Sequence, residues 1–106
     1  MVSMTEIEAV ARNIGEAAHA EQVILFGSYA NGMATEESDV DLLVVAESDL
    51  PRHKRSRELY RMVNPHRFSM DILVYTTQEV HNSSDTPVSF VSQVLREGKP
   101  VYVRSA

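Results

Sequence analysis

The sequence predicts an α/β domain with a small mixed β-sheet flanked by helices. Three observations point there. Runs of strand length, rich in aliphatic and β-branched residues, occur at residues 23–26, 39–46 and 69–75. Stretches with apolar residues at helical spacing lie between and beyond them. Turn-forming pairs, Gly27-Ser28, Asn31-Gly32 and Asn64-Pro65, stand where one element should give way to the next. At 106 residues the chain reads as a single domain, 1–106, large enough for one core but too small to carry a separate acceptor domain.

The elements follow in order. Thr5 and Glu8 form a capping-box pattern, and Ile7, Val10, Ala11, Ile14 and Ala18 recur at helical spacing, so residues 5–20 are expected to form an amphipathic helix. Val23, Ile24, Leu25 and Phe26 suit a buried strand that stops at Gly27. Ser28 opens a short helical turn, which Asn31-Gly32 closes because both residues tolerate the left-handed conformation. Residues 34–38 are polar and acidic and read as an exposed connection. The next strand, from Asp39 to Ala46, is aliphatic enough to be central. Pro51 suits a first helical position, with Leu59, Met62 and Val63 forming the apolar stripe and Asn64-Pro65 stopping the helix. Residues 69–75 form another strand. Residues 78–87 read as a polar stretch, after which Phe90, Val91, Val94 and Leu95 mark a helix, Gly98 its C-cap, and Val101, Tyr102 and Val103 a last short strand. Met62 and Met70 are expected to fill gaps in the core.

The chemistry-bearing residues lie on the first three strands. Gly27 lets the backbone turn tightly and lets an anion approach, and Ser28 offers a hydroxyl and an N–H at a helix start, a good place for phosphate. Because side chains alternate along a strand, Asp39 and Asp41 project from one face, where both carboxylates could serve a common hard cation or a pair of cations. Without a cation they would repel, and one would tend to keep a proton. Asp71 lies inside Ser69-Met70-Asp71-Ile72-Leu73-Val74-Tyr75, a run that could pair beside the Asp39 strand; a lone acid buried there would be costly. A Gly-Ser turn or an Asp-x-Asp strand alone is a weak signal. Together with Asp71 they point to nucleotidyl transfer.

Phe26-Gly27-Ser28-Tyr29-Ala30-Asn31-Gly32, then Ser38-Asp39-Val40-Asp41-Leu42-Leu43-Val44, then Met70-Asp71-Ile72-Leu73-Val74, resembles the minimal nucleotidyltransferases of the DNA polymerase-β superfamily, over nearly the whole chain. The resemblance implies the nucleotidyltransferase fold, with Asp39, Asp41 and Asp71 as catalytic and metal-holding acids, and Gly27 and Ser28 as nucleotide-binding residues. It implies two Mg²⁺ ions, ATP as substrate, and a small helical HEPN-type toxin as partner, to which this chain would be the antitoxin, transferring AMP to a hydroxyl such as a tyrosine's. The family's turn commonly carries arginines where this chain has Tyr29 and Asn31. A replacement source of positive charge is the segment from Arg52 to Arg67, where Arg52, Lys54, Arg55, Arg57, Arg61 and Arg67 make six of the chain's ten Lys and Arg residues. Two alternatives stay open: a nucleotidyltransferase-fold protein that neutralises its partner by binding alone, and an RNA-contacting accessory subunit using Arg52 to Arg61.

Composition narrows the rest. A formal net charge of -5 argues against nonspecific nucleic-acid binding by the surface as a whole. The longest uninterrupted apolar run, residues 42–46, is far below a membrane span, and the N-terminus lacks the basic and apolar regions of a signal peptide, so the expectation is a cytoplasmic protein that meets no membrane. With no cysteine there is no disulfide framework and no thiolate zinc site. His19 and His81 have no metal-ligand spacing, His53 and His66 read as surface residues, and Tyr29 is expected to pack against the sheet. Base preference and oligomeric state are not legible.

Overall fold

The apolar runs become strands of one sheet: β1 (Gln22–Phe26), β2 (Val40–Val45), β3 (Met70–Tyr75) and β4 (Lys99–Val103). In the computed structural model, which describes residues 1–63, 68–84 and 88–105, they lie in the order β3-β2-β1-β4. β1 pairs antiparallel with β2 and β4, while β2 and β3 run parallel, so the sheet is mixed as expected. The parallel pair needs a crossover, and the segment between β2 and β3 supplies it.

Among the described residues, five α-helices accompany the strands: α1 (Met4–Ala18), α2 (Ser28–Asn31), α3 (Arg57–Met62), α4 (Thr77–Ser84) and α5 (Phe90–Glu97). α1 begins earlier than expected because the capping box is made by Ser3 and Glu6, not by Thr5 and Glu8. Ser3 Oγ accepts from the Glu6 N–H at 3.1 Å, and Glu6 Oε1 accepts from the Ser3 N–H at 3.2 Å. α1 ends at Ala18, short of residue 20, since His19 takes the left-handed conformation (φ 52°) as its C-cap. Ile7, Ala11, Ile14 and Gly15 form the buried stripe. Gly15 lets α1 sit directly on β4, where an added Cβ would lie 2.4 Å from the Tyr102 ring.

Three further expectations are corrected. The helix expected from Pro51 is two pieces, a 3-10 turn at Arg52–Lys54, which Pro51 precedes as N-cap, and then α3. Met62 is 57% exposed rather than a core residue, whereas Leu59 and Met70 are buried; at the last position of a short helix Met62 has turned past the sheet. The stop expected at Asn64-Pro65 lies outside the described residues, as do His66 and Arg67. The polar stretch after Tyr75 contains α4, which carries little apolar signal but a complete capping box: the Glu79 N–H donates to Thr76 Oγ1 at 3.2 Å and the Thr76 N–H donates to Glu79 Oε1 at 2.8 Å. Gly98 caps α5 as expected, though with extended backbone (φ -78°, ψ 169°) that passes straight into β4; β4 begins two residues before Val101.

The two faces of the sheet differ. On one, α1 and α3 bury Val23, Leu25, Leu42, Val44, Ile72 and Val74 in the main core with Ile7, Ala11, Ile14 and Leu59. On the other, Ile24, Leu43 and Val94 form a smaller cluster bordered by Phe26 and Tyr75, with α5 above it. Strand alternation puts Asp41 on this second face with Leu43, and Asp71 with Leu73 and Tyr75. The outer edge of β3 is closed by side chains: the Ile72 N–H donates to the Tyr60 hydroxyl at 2.8 Å, and Arg55 Nη1 donates to the Val74 carbonyl at 3.2 Å. An edge so covered is a poor template for another strand.

Candidate active site

Gly27 joins β1 to α2 with φ 75° and ψ -154°, a backbone conformation essentially reserved for glycine. Space makes the same demand as backbone: a Cβ built on Gly27 would lie 2.2 Å from Asp41 Oδ2. The turn therefore closes directly over the Asp41 carboxylate, which the antiparallel register also places opposite Phe26. Ser28 follows, half-buried, and its hydroxyl takes part in no hydrogen bond among the described residues. Gly32 closes the turn with φ 80°, as the Asn31-Gly32 pair predicted.

The parallel ladder between β2 and β3 sets Asp41 directly beside Asp71, with Val40 beside Met70 and Leu42 beside Ile72. Asp39 stands one residue before β2, at its mouth. The three acids press on one another electrostatically: the Asp41 carboxyl is raised above its ordinary value, first by burial, then by the charge of Asp71, then by that of Asp39. Side-chain positions nevertheless separate them. Asp39 borders an acidic hollow with Glu36, Glu37 and Ser38, while Asp71 borders another with Arg52, His53 and Tyr60. Among the described residues no three His, Asp or Glu side chains are gathered to ligating distance. The donor set itself suits a hard divalent cation such as Mg²⁺, being all carboxylate oxygen, and bringing the three groups to one point requires a positive charge between them.

The basic segment is mostly committed elsewhere. Arg55, 8% exposed, is bound to Glu79 at 2.6 Å, and Arg52 reaches the same carboxylate at 3.4 Å with its guanidinium 4.3 Å from the centre of the Tyr75 ring. Arg61 pairs with Glu58 at 2.7 Å. These contacts hold Glu79 down to about 2, chiefly through its hydrogen bond from Arg55. Arg52 and His53 alone among the described basic side chains share the hollow that Asp71 borders. Tyr29 packs against the main core as expected, its hydroxyl accepting from the Val2 N–H at 3.2 Å.

A feature that sequence reasoning missed lies on the other side of Gly27. A cavity of about 370 Å³ opens between the Gly27 turn and α5, floored by Phe26 and roofed by Phe90, Gln93, Val94 and Glu97. The signal was present in the sequence, since residues 90, 93, 94 and 97 share one helical face, but it read as an apolar stripe of core residues.

The family model for polymerase beta nucleotidyltransferases matches residues 8–106. The chain belongs to the polymerase beta nucleotidyltransferase family. Among relatives, the Methanocaldococcus jannaschii protein named "Putative protein adenylyltransferase MJ0141" is 32% identical over 81 residues, 76% of this chain and 78% of that protein. The nucleotidyltransferase fold is shared with a crystal structure described as a putative nucleotidyltransferase from Sulfolobus solfataricus, with a TM-score of 0.66 and 19% identity over 95% of this chain and 80% of that one. It is shared too with a crystal structure described as a toxin-antitoxin with AMP-PNP, at a TM-score of 0.59 and 24% identity over 98% of this chain and 76% of the other. Among the described residues no helix of this nucleotidyltransferase is long and apolar enough to cross a membrane.

Proposed function

We propose that this chain transfers AMP from Mg²⁺-ATP to a hydroxyl of a partner protein, a tyrosine of a HEPN-type toxin, and thereby acts as the antitoxin of the pair. The observation that carries the reading is the register that sets Asp41 beside Asp71 on an open sheet face, with the Gly27 turn closed over Asp41. The relative named as a protein adenylyltransferase supports AMP as the group moved, and the fold neighbour described as a toxin-antitoxin with AMP-PNP supports the setting.

Asp39, Asp41 and Asp71 are the residues that would hold Mg²⁺, as two ions; the metal, when bound, neutralises phosphate charge and polarises the α-phosphate. Gly27 and Ser28 present backbone N–H groups and a hydroxyl to the outer phosphates. Asp71, exposed on the open face, takes the proton of the acceptor hydroxyl. The hydroxyl oxygen then bonds to the α-phosphorus as the bond to the bridging oxygen breaks, and pyrophosphate leaves with that electron pair.

A second reading, neutralisation by binding alone, is favoured by one observation: among the described residues no Lys or Arg lines the cavity beside Gly27. Transfer of label from α-labelled ATP to the protein encoded next to this chain separates the two. Label that requires intact Asp39 and Asp41 supports transfer; a stable complex without label from any of the four nucleotides supports covering.

A further inference from the structure

The cavity beside Gly27 has a chemistry of its own. At about 370 Å³ it falls in the usual range for small-molecule pockets, roughly 300–1,000 Å³. Its floor, Phe26, lies opposite Asp41 in the β1–β2 register, so the cavity continues the face that carries the acids. Phe26 and Phe90 meet edge to face, with ring centres 5.4 Å apart and planes at 81°. Phe90 nonetheless stays 41% exposed, an aromatic surface left open beside a polar site. One turn further along α5, Gln93 lines the same space and makes no side-chain hydrogen bond among the described residues. Glu97 also lines the cavity.

We propose that this cavity is a nucleobase site that selects adenine, with the base stacked on Phe90 and its edge read by the Gln93 amide. The proposal rests on the nucleotidyl-transfer reading and adds its base specificity. A flat aromatic ring suits any base, and base-on-aromatic stacking is sequence-tolerant. Selection must come from the polar edge. A glutamine amide offers one donor and one acceptor side by side, which along the N6/N7 edge matches the amine and ring nitrogen of adenine and mismatches guanine, whose O6 and N7 on that edge are both acceptors. The triphosphate then lies at the Gly27 turn, next to Asp41.

The test is calorimetric titration of ATP, GTP and ribose 5-triphosphate, each with Mg²⁺, into the wild-type chain and into Phe90→Ala and Gln93→Leu. Gln93 is exposed, so its replacement leaves the fold intact. The wild type should bind ATP about tenfold more tightly than either GTP or ribose 5-triphosphate; Phe90→Ala should weaken ATP about tenfold, and Gln93→Leu should bring ATP and GTP to within about twofold. Binding of ATP with unchanged affinity by both variants, or equal binding of ATP and ribose 5-triphosphate by the wild type, would overturn the base site while leaving nucleotidyl transfer standing. A wild-type preference for GTP would overturn the adenine assignment. No nucleotide binding by the wild type would remove both.

Discussion

Asp41 stands at the centre of the proposed chemistry, and its surroundings oppose its charge. Burial and the neighbouring carboxylates raise its pKa, so the folded state holds that proton more tightly than the unfolded chain does. Stability contributed by this group therefore falls as pH rises from the ordinary value of 3.8 through the higher folded value, and the penalty is complete above it. Asp41→Asn, measured with a chelator present, should raise the thermal midpoint at pH 7 by relieving the burial of a charge and its repulsion by Asp71 and Asp39, and the gain should vanish near pH 3. The same substitution, like Asp39→Asn, should lower transfer on the order of a thousandfold, because charge stabilisation at the phosphates is lost. A variant that is more stable and inactive separates function from folding. Gly27→Ala should do the reverse, losing activity together with about 2 kcal/mol in denaturant unfolding, since both its backbone angles and the Asp41 carboxylate forbid a Cβ.

Among the elements, α4 shows where sequence patterning stops short. Strands β1, β2 and β3 were legible because aliphatic runs of that length have few other uses, and Gly27, Asp39, Asp41 and Asp71 were legible because they interrupt or end those runs. α4 was not, since it rests on polar contacts: Thr76 and Glu79 cap it, and Glu79 in turn receives Arg55 and Arg52 from the turn after Pro51. Such a contact spans 24 residues and leaves no periodic trace. The α1 boundary was missed for a local reason, two overlapping capping boxes, of which the chain uses the earlier. Glu79→Gln should destabilise the protein by about 2 kcal/mol at pH 7, because Arg55 would be left nearly buried without its carboxylate. A folded Glu79 value of about 2 against an ordinary 4.5 means that its contribution is full above 4.5 and disappears as pH falls to 2, so the variant should lose that part of the acid-unfolding slope.

At the scale of the whole molecule, the mixed sheet gives one face to the core and divides the other between α5 and the acids. The order β3-β2-β1-β4 lays the reacting groups out across the strands: the hollow that Asp71 borders, then Asp41, then Phe26 and the cavity under α5. The proposed direction, acceptor on the β3 side and nucleotide on the β1 side, rests on this topology, which was out of reach of a sequence that holds Asp41 and Asp71 thirty positions apart. On the proposed function, a second molecule brings the acceptor to this face. The most direct test is the intact mass of the partner protein after co-expression, once with the wild-type chain and once with the Asp39→Asn, Asp41→Asn double variant. A partner heavier by whole nucleoside monophosphate units only when the acids are intact is the predicted result; an unmodified partner in a stable wild-type complex would contradict nucleotidyl transfer.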